Sequence, residues 1–260
     1  MSAEDIFYEV LLTTSRQHLP EAASQMDIKA ALEAGRRAGR RDAKAKREAN
    51  RQNGLLAFLS EAGIEASLPR QRLLTRAAAI YFFFCAGNLA DDLSDGDCTY
   101  LADPYRLGPC TQLTLQNLFV HTLLKADLSS QTLSRVIQEL IEAVGQQHIE
   151  LRTKQWTAPV FREVAEGIAG RQWSAYLQIL WCDTKLASRA ATIGMNAGIV
   201  THVAEDIQSQ DPRYTTLPET DKREIAAWAA AAAQALRNEH LRCIDAVLSG
   251  IDPVLKQALP

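Results

Sequence analysis

The chain has 260 residues, 47% apolar and 23% charged, enough apolar content to bury a sizeable core and too much for a disordered tail or a collagen-like repeat. A net charge of -3 at pH 7 excludes a generally basic surface of the kind that neutralises nucleic-acid phosphates, so any anion binding must be local. The five cysteines, Cys85, Cys98, Cys110, Cys182 and Cys243, show no zinc-type pair spacing and are odd in number, which fits a reducing cytoplasm better than a closed disulfide set.

The opening MSAEDIFYEVLLTTSRQ places acids before its apolar patch and lacks the basic start and long apolar run of a signal peptide. No stretch reaches about 18 uninterrupted apolar residues, so no transmembrane segment is expected. Apolar residues recur at spacings of three and four almost throughout, and alternating Val, Ile and Thr runs are missing, so the fold is expected to be all-α. The pattern predicts helices at roughly 3–17, 27–52, 54–62, 70–96, 111–125, 130–152, 158–169, 171–209 and 220–248. Turn chemistry separates them at Leu19-Pro20, Leu68-Pro69, Asp103-Pro104 to Pro109, Asp127 to Ser130, Ala158-Pro159 and Asp211-Pro212 to Pro218. With no long linker or internal repeat, a single domain is expected over residues 1–260.

Between Arg36 and Arg51 eight Arg and Lys residues face only Asp42 and Glu48. This basic helix is either a solvated face or a site for phosphate groups or an acidic partner. Further on, Ile80-Tyr81-Phe82-Phe83-Phe84-Cys85 is apolar on all sides and runs into Asp91-Asp92-Leu93-Ser94-Asp95, so a buried helix is expected to end in acid. Asp91 and Asp95 are i and i+4, and Asp92 and Asp95 are i and i+3, which places them within reach of a common ligand. Their mutual repulsion, made worse by the negative end of the helix dipole, leaves two readings, a solvated acidic helix end or a site for a hard divalent cation such as Mg²⁺. A second acidic patch, Glu205-Asp206 with Ser209, closes another long helical pattern and offers oxygen donors of the same kind. His148, His202 and His240 form no zinc spacing, and no Gly-rich phosphate loop or nucleophile elbow is present.

Two further segments complete a pattern. Gly145-Gln146-Gln147-His148-Ile149-Glu150-Leu151 lies between the acidic patches, and Thr216-Leu217-Pro218 follows the second one. Together these segments resemble the trans-polyprenyl diphosphate synthases, a class I isoprenoid synthase family, over roughly residues 70–250. Asp91 to Asp95 is similar to the family's Asp-Asp-x-x-Asp motif. Gly198 to Ser209 is similar to its second motif, with His202 for the usual Gln, Glu205 for the first Asp, Asp206 for the second and Ser209 for the last. Glu150 stands where the family has Asp in Gly-Gln-x-x-Asp-Leu.

The resemblance implies a helical bundle around a central cavity, with divergent N-terminal helices over 1–69 and the catalytic core over 70–250. It implies Mg²⁺ held by Asp91, Asp92, Asp95, Glu205, Asp206 and Ser209, and positive charge on the substrate diphosphate from Arg106, Lys185 and Arg189. Gln146 and Lys185 are the implied catalytic residues. Phe82, Phe83, Phe84, Phe119, Trp173, Tyr176 and Trp181 are candidates to line the cavity, where ring faces favour a carbocation. The implied protein is a cytoplasmic homodimer acting on an allylic prenyl diphosphate, with isopentenyl diphosphate or another acceptor, and without nucleic acid. The family's arginine pair after the first motif is represented only by Arg106, and its upstream basic site at best by Arg70-Gln71-Arg72. Three readings therefore stay open: a prenyltransferase, a terpene cyclase that needs no second diphosphate site, and a non-catalytic regulatory or interaction subunit.

Overall fold

A computed structural model of the protein describes residues 3–19, 22–38 and 55–258. Most of the predicted basic helix, and all side chains of Arg36 to Arg51, lie outside the described residues. Among those described, every regular element is helical, as the spacing of apolar residues predicts. Contacts group the chain into two compact units, Met1–Leu128 and Ser129–Pro260.

The first unit contains α1 (Ala3–His18), α2 (Ala22–Ala38), α3 (Leu55–Glu65), α4 (Arg70–Ser94) and α5 (Pro104–Leu124). Helix α4 is its centre, with the other four packed against it. Its stretch from Ala77 to Phe82 is buried without interruption, as expected of a helix that is apolar on all sides. By length and composition α4 could cross a membrane, but most of its apolar window is buried inside the protein. Two polar groups in this interior have partners: Tyr81 Oη donates to the Leu32 carbonyl at 3.1 Å, and the fully buried Arg76 donates from Nε to the Ala126 carbonyl at 3.2 Å.

Helix α5 starts at Pro104, seven residues before the predicted start. The side chain of Asp103 accepts from the Arg106 backbone N–H, and Pro104 supplies the backbone angle that the first helical position requires. Pro109 falls inside the helix, close enough to its start that the missing donor costs one backbone bond and no break is made. Gly108 lets α5 approach α4: a Cβ there would lie 2.6 Å from Leu93 Cδ2.

The second unit contains α6 (Ser130–Glu150), α7 (Ala158–Ala165), a π turn (Glu166–Gly170), α8 (Arg171–Trp181), α9 (Ala190–Ser209), the single turn α10 (Pro212–Thr215), α11 (Glu219–Arg237) and α12 (Arg242–Ala258). Here α9 is central, packing on α8, α11, α12 and the π turn. Gly198 allows the closest approach, since a Cβ there would meet the Ala169 carbonyl and come within 2.7 Å of Gly170 Cα.

The predicted single helix 171–209 is divided after Trp181. Thr184 Oγ1 donates to the Trp181 carbonyl at 3.0 Å and accepts from the Leu186 N–H at 3.1 Å, a local bonding pattern that competes with helix continuation. The predicted 220–248 helix is likewise interrupted, at His240, whose φ of 51° is left-handed.

Candidate functional site

In the first unit the acidic segment closes α4. The Asp95 N–H bonds to the Asp91 carbonyl at 3.0 Å, and the Asp92 carbonyl accepts from Asp97 and Cys98 at 2.8 and 3.0 Å. Gly96, at φ 76°, supplies the left-handed residue that this reversal needs. The turn returns Tyr100 to the helix, where its hydroxyl donates to Asp92 Oδ2 at 3.0 Å, beside Asn88 Nδ2, also at 3.0 Å. Asp92 is thus a buried carboxylate, 4% exposed, with two donors on one oxygen. Burial and the adjacent Asp92 charge push the Tyr100 phenol well above its usual range, keeping it a donor. Asp91 and Asp95 are exposed.

The three aspartates therefore divide between two environments, one inward and two outward. Among the described residues no three His, Cys, Asp or Glu side chains gather closely enough to hold a metal ion. What the segment offers Mg²⁺ is the right donor chemistry, hard carboxylate oxygens at the exposed end of a helix.

Arg106 lies on the first turn of α5, highly exposed, with Nε 3.8 Å from Asp103 Oδ2. Arg72 is ion-paired with Asp127 at 2.9 Å. It stands twenty residues before Asp92 on one helix, roughly 30 Å along the axis, so it cannot serve a diphosphate held at Asp92.

In the second unit the acidic patch closes α9. Glu205 and Ser209 are exposed, while Asp206 is 3% exposed. Asp206 and its neighbours converge on one guanidinium. Arg213 forks Asp211 side-on, Nε to Oδ1 and Nη2 to Oδ2, each at 2.9 Å. Its Nη1 pairs with Glu150 Oε1 of α6, and Nη2 lies 3.5 Å from Asp206 Oδ1. Asp211 also caps α10, accepting from the Arg213 N–H at 2.7 Å.

Burial pushes the Asp206 carboxyl up to about 8, with the charges of Asp211 and Glu205 adding to the shift; the nearby guanidinium opposes it. His202, one turn earlier and 3.8 Å from Asp206 Oδ2, is pushed down to about 4 by burial, so it is a neutral imidazole at pH 7. Its ring lies against Phe161, which also meets Tyr214.

Gln146 sits one turn before Glu150 on α6. Its side chain lies against Gly167 of the π turn, where a Cβ would collide with it, and its Nε2 is buried without a hydrogen-bond partner. Lys185 and Arg189 precede α9 at its other end, and Arg189 pairs with Glu239 at 2.6 Å. From Arg189 to Glu205 and Ser209 the helix rises roughly 24 to 30 Å. Arg189 is therefore too far along the axis to serve a diphosphate held at the second patch.

The aromatic candidates divide in a similar way. Phe82, Tyr176 and Trp181 are buried core, and Phe83 packs edge-on against Phe119 at 5.1 Å. Consecutive residues of a helix point in different directions, so Phe82, Phe83 and Phe84 cannot all line one wall. A cleft of about 330 Å³ beside α9 is lined by Ile207, Tyr214, Glu219, Lys222, Arg223 and Gln257, and none of the motif carboxylates faces it.

Two solved structures share this architecture. A geranyltransferase from Legionella pneumophila superposes with a TM-score of 0.67 at 15% identity, covering 98% of this chain and 96% of its own. The fold is that of the geranyltransferases. A geranyltranstransferase from Thermotoga maritima gives the same TM-score at 13% identity, covering 98% of this chain and 100% of its own. No family model and no curated protein matches the sequence.

Sequence reasoning missed three participants. Asn88 stands at i-4 from Asp92, a helical spacing that pointed to it. Tyr100 needed the Gly96 turn to be placed, and Arg213 is joined to Glu150 across sixty-three positions, a pairing that no local spacing reveals.

Proposed function

We propose that the protein is a Mg²⁺-dependent prenyltransferase that ionises an allylic prenyl diphosphate and joins the prenyl group to isopentenyl diphosphate or another acceptor. The observation that carries this reading is an Asp-Asp-x-x-Asp segment at the end of a buried apolar helix, in a chain with the geranyltransferase fold. In this reading Asp91 and Asp95 present carboxylates to a metal–diphosphate, and Asp92 joins them, held in orientation by Asn88 and Tyr100. Glu205 and Ser209 offer oxygens at the exposed end of α9. Bound Mg²⁺ supplies neutralisation of the departing diphosphate.

The allylic carbon–oxygen bond breaks with its electron pair on the diphosphate. The acceptor double bond then supplies the new carbon–carbon bond, and a proton is lost. Gln146, with an uncommitted amide, is the polar group able to hydrogen-bond near the reacting carbons, and aromatic faces favour the cation. Arg106, Lys185 and Arg189 are assigned to diphosphate charge away from the second patch. The protein is assigned to the cytoplasm as a homodimer, an assembly that gives a use to the exposed apolar stripe Ile137, Ile141 and Val144 on α6.

A terpene cyclase is the second reading. It is favoured by Arg106 being the one arginine near the first acidic segment in sequence, because a cyclase holds a single diphosphate. The deciding experiment incubates the protein with Mg²⁺ and farnesyl diphosphate, with and without isopentenyl diphosphate. A longer diphosphate formed only with the co-substrate supports the prenyltransferase. Hydrocarbons or alcohols formed without it establish the cyclase, and no product at all leaves a regulatory or interaction subunit.

A further inference from the structure

The cleft of about 330 Å³ in the second unit takes no part in the prenyl-transfer reading. The ends of α9, α10 and α12 and the first turns of α11 meet around it. Ile207, Tyr214 and Ala258 give it an apolar wall, while Glu219, Lys222 and Arg223 bring charge to its edge. Tyr214 is 7% exposed, and its ring is held from the other side by Phe161, edge-on at 6.1 Å. Burial and the charge of Glu219, itself a cleft residue, raise the Tyr214 phenol above its ordinary range. The hydroxyl thus lies on the cleft side and is a neutral donor at pH 7. Among the described residues nothing accepts its hydrogen bond. A donor on a side chain so withdrawn from water is costly to leave unmatched. The charges are also unequal. Lys222 Nζ is held by Glu219 Oε1 at 2.9 Å, whereas Arg223 makes no ion pair among the described residues. Two cations against one carboxylate leave the lining one positive charge in excess, on a guanidinium whose planar fork matches a carboxylate.

We propose that this cleft binds a small amphipathic carboxylate, with its apolar body on Ile207, Tyr214 and Ala258 and its carboxylate taken by Arg223 and the Tyr214 hydroxyl. The single excess charge fits a monoanion, and a diphosphate carries more negative charge than the lining offsets. The volume lies at the low end of the roughly 300–1,000 Å³ of small-molecule pockets, so a short chain or a single ring fits and a long lipid does not. The apolar wall supplies affinity through burial of that body, and the two donors fix the orientation of its head. The site needs no metal and does not rest on the prenyltransferase reading, which is judged by products.

The test titrates the full chain with octanoate by isothermal calorimetry in the presence of EDTA, so that no metal-held site contributes. Saturable binding of one octanoate per chain is expected, with acetate at least about tenfold weaker because it lacks the chain that the apolar wall buries. Tyr214→Phe is expected to weaken octanoate about fivefold through loss of one hydrogen bond, with the melting temperature unchanged because that hydroxyl bonds nothing in the protein. Arg223→Gln, an exposed position, is expected to weaken it by about fivefold or more. Asp92→Asn is expected to leave octanoate binding as it is. No saturable binding, or binding that both cleft variants leave intact, would overturn the proposal. So would octyl phosphate binding more tightly than octanoate, which would reject the monocarboxylate, and so would loss of binding in Asp92→Asn, which would place the anion at the first acidic segment.

Discussion

Replacing Tyr100 by Phe removes a single oxygen and leaves the ring in place. The lost group donates to Asp92 Oδ2 at 3.0 Å, and Asp92 keeps Asn88 as its other donor. A hydrogen bond to a charged group contributes about 1.5–3 kcal/mol. Tyr100 is only half-buried, so water can partly replace its hydroxyl, and the loss belongs at the low end, about 1.5 kcal/mol. That is roughly a tenfold rise in the unfolding constant.

Urea unfolding followed by far-ultraviolet circular dichroism measures it, with the slope of the transition unchanged between the two proteins. The sign with pH is also fixed. The folded phenol is raised above its ordinary value of about 10, so its contribution is fully present below that pH and is lost as pH rises through the higher folded value. The stability gap between wild type and Tyr100→Phe should stay constant from pH 7 to 9 and narrow only in stronger alkali. A gap below about 0.5 kcal/mol at pH 7, or one that narrows before pH 9, would show that Tyr100 does not hold Asp92.

Asp92→Asn should abolish most turnover in the prenyl-transfer assay while helical circular dichroism is retained; unchanged turnover would remove Asp92 from the metal-binding set. Gly198→Ala drives a methyl group into the Ala169 carbonyl and Gly170, so α9 must shift, at a cost of about 1–3 kcal/mol read from thermal unfolding. An unchanged melting temperature would contradict that close approach. Ile141→Glu places charge in the exposed stripe of α6 and should convert the proposed homodimer to monomers in sedimentation velocity, whereas an unmoved dimer would place the interface elsewhere.

The features legible in the sequence are those set by short-range pattern. The run from Ile80 to Cys85 shows a buried helix by composition alone, and the aspartates that follow mark its acidic end. Spacing alone puts Asp91, Asp92 and Asp95 within common reach, but orientation was decided by the return of Tyr100 through Gly96, which pins Asp92 inward. Helix boundaries failed where a short polar side chain competed with the backbone, at Asp103 and Thr184. The charge balance of the second patch was beyond local reading, because Arg213 donates to the Asp211 cap of α10 by one rule and neutralises Glu150 by another, and only the first has a sequence spacing.

The π turn between α7 and α8 inserts one residue into an otherwise continuous helical path. An added residue turns everything beyond it by about 100°, so the two flanking helices face the interior with different registers. Before the turn, Phe161 looks toward His202 and Tyr214; after it, Tyr176 and Trp181 fill the core. Deleting one residue from Glu166–Gly170 would restore an ideal helix and make both halves impossible at once: either Phe161 leaves the imidazole or Trp181 swings toward water. The bulge acts as a phase shifter, letting one stretch of chain serve two neighbours that a regular helix could not satisfy together.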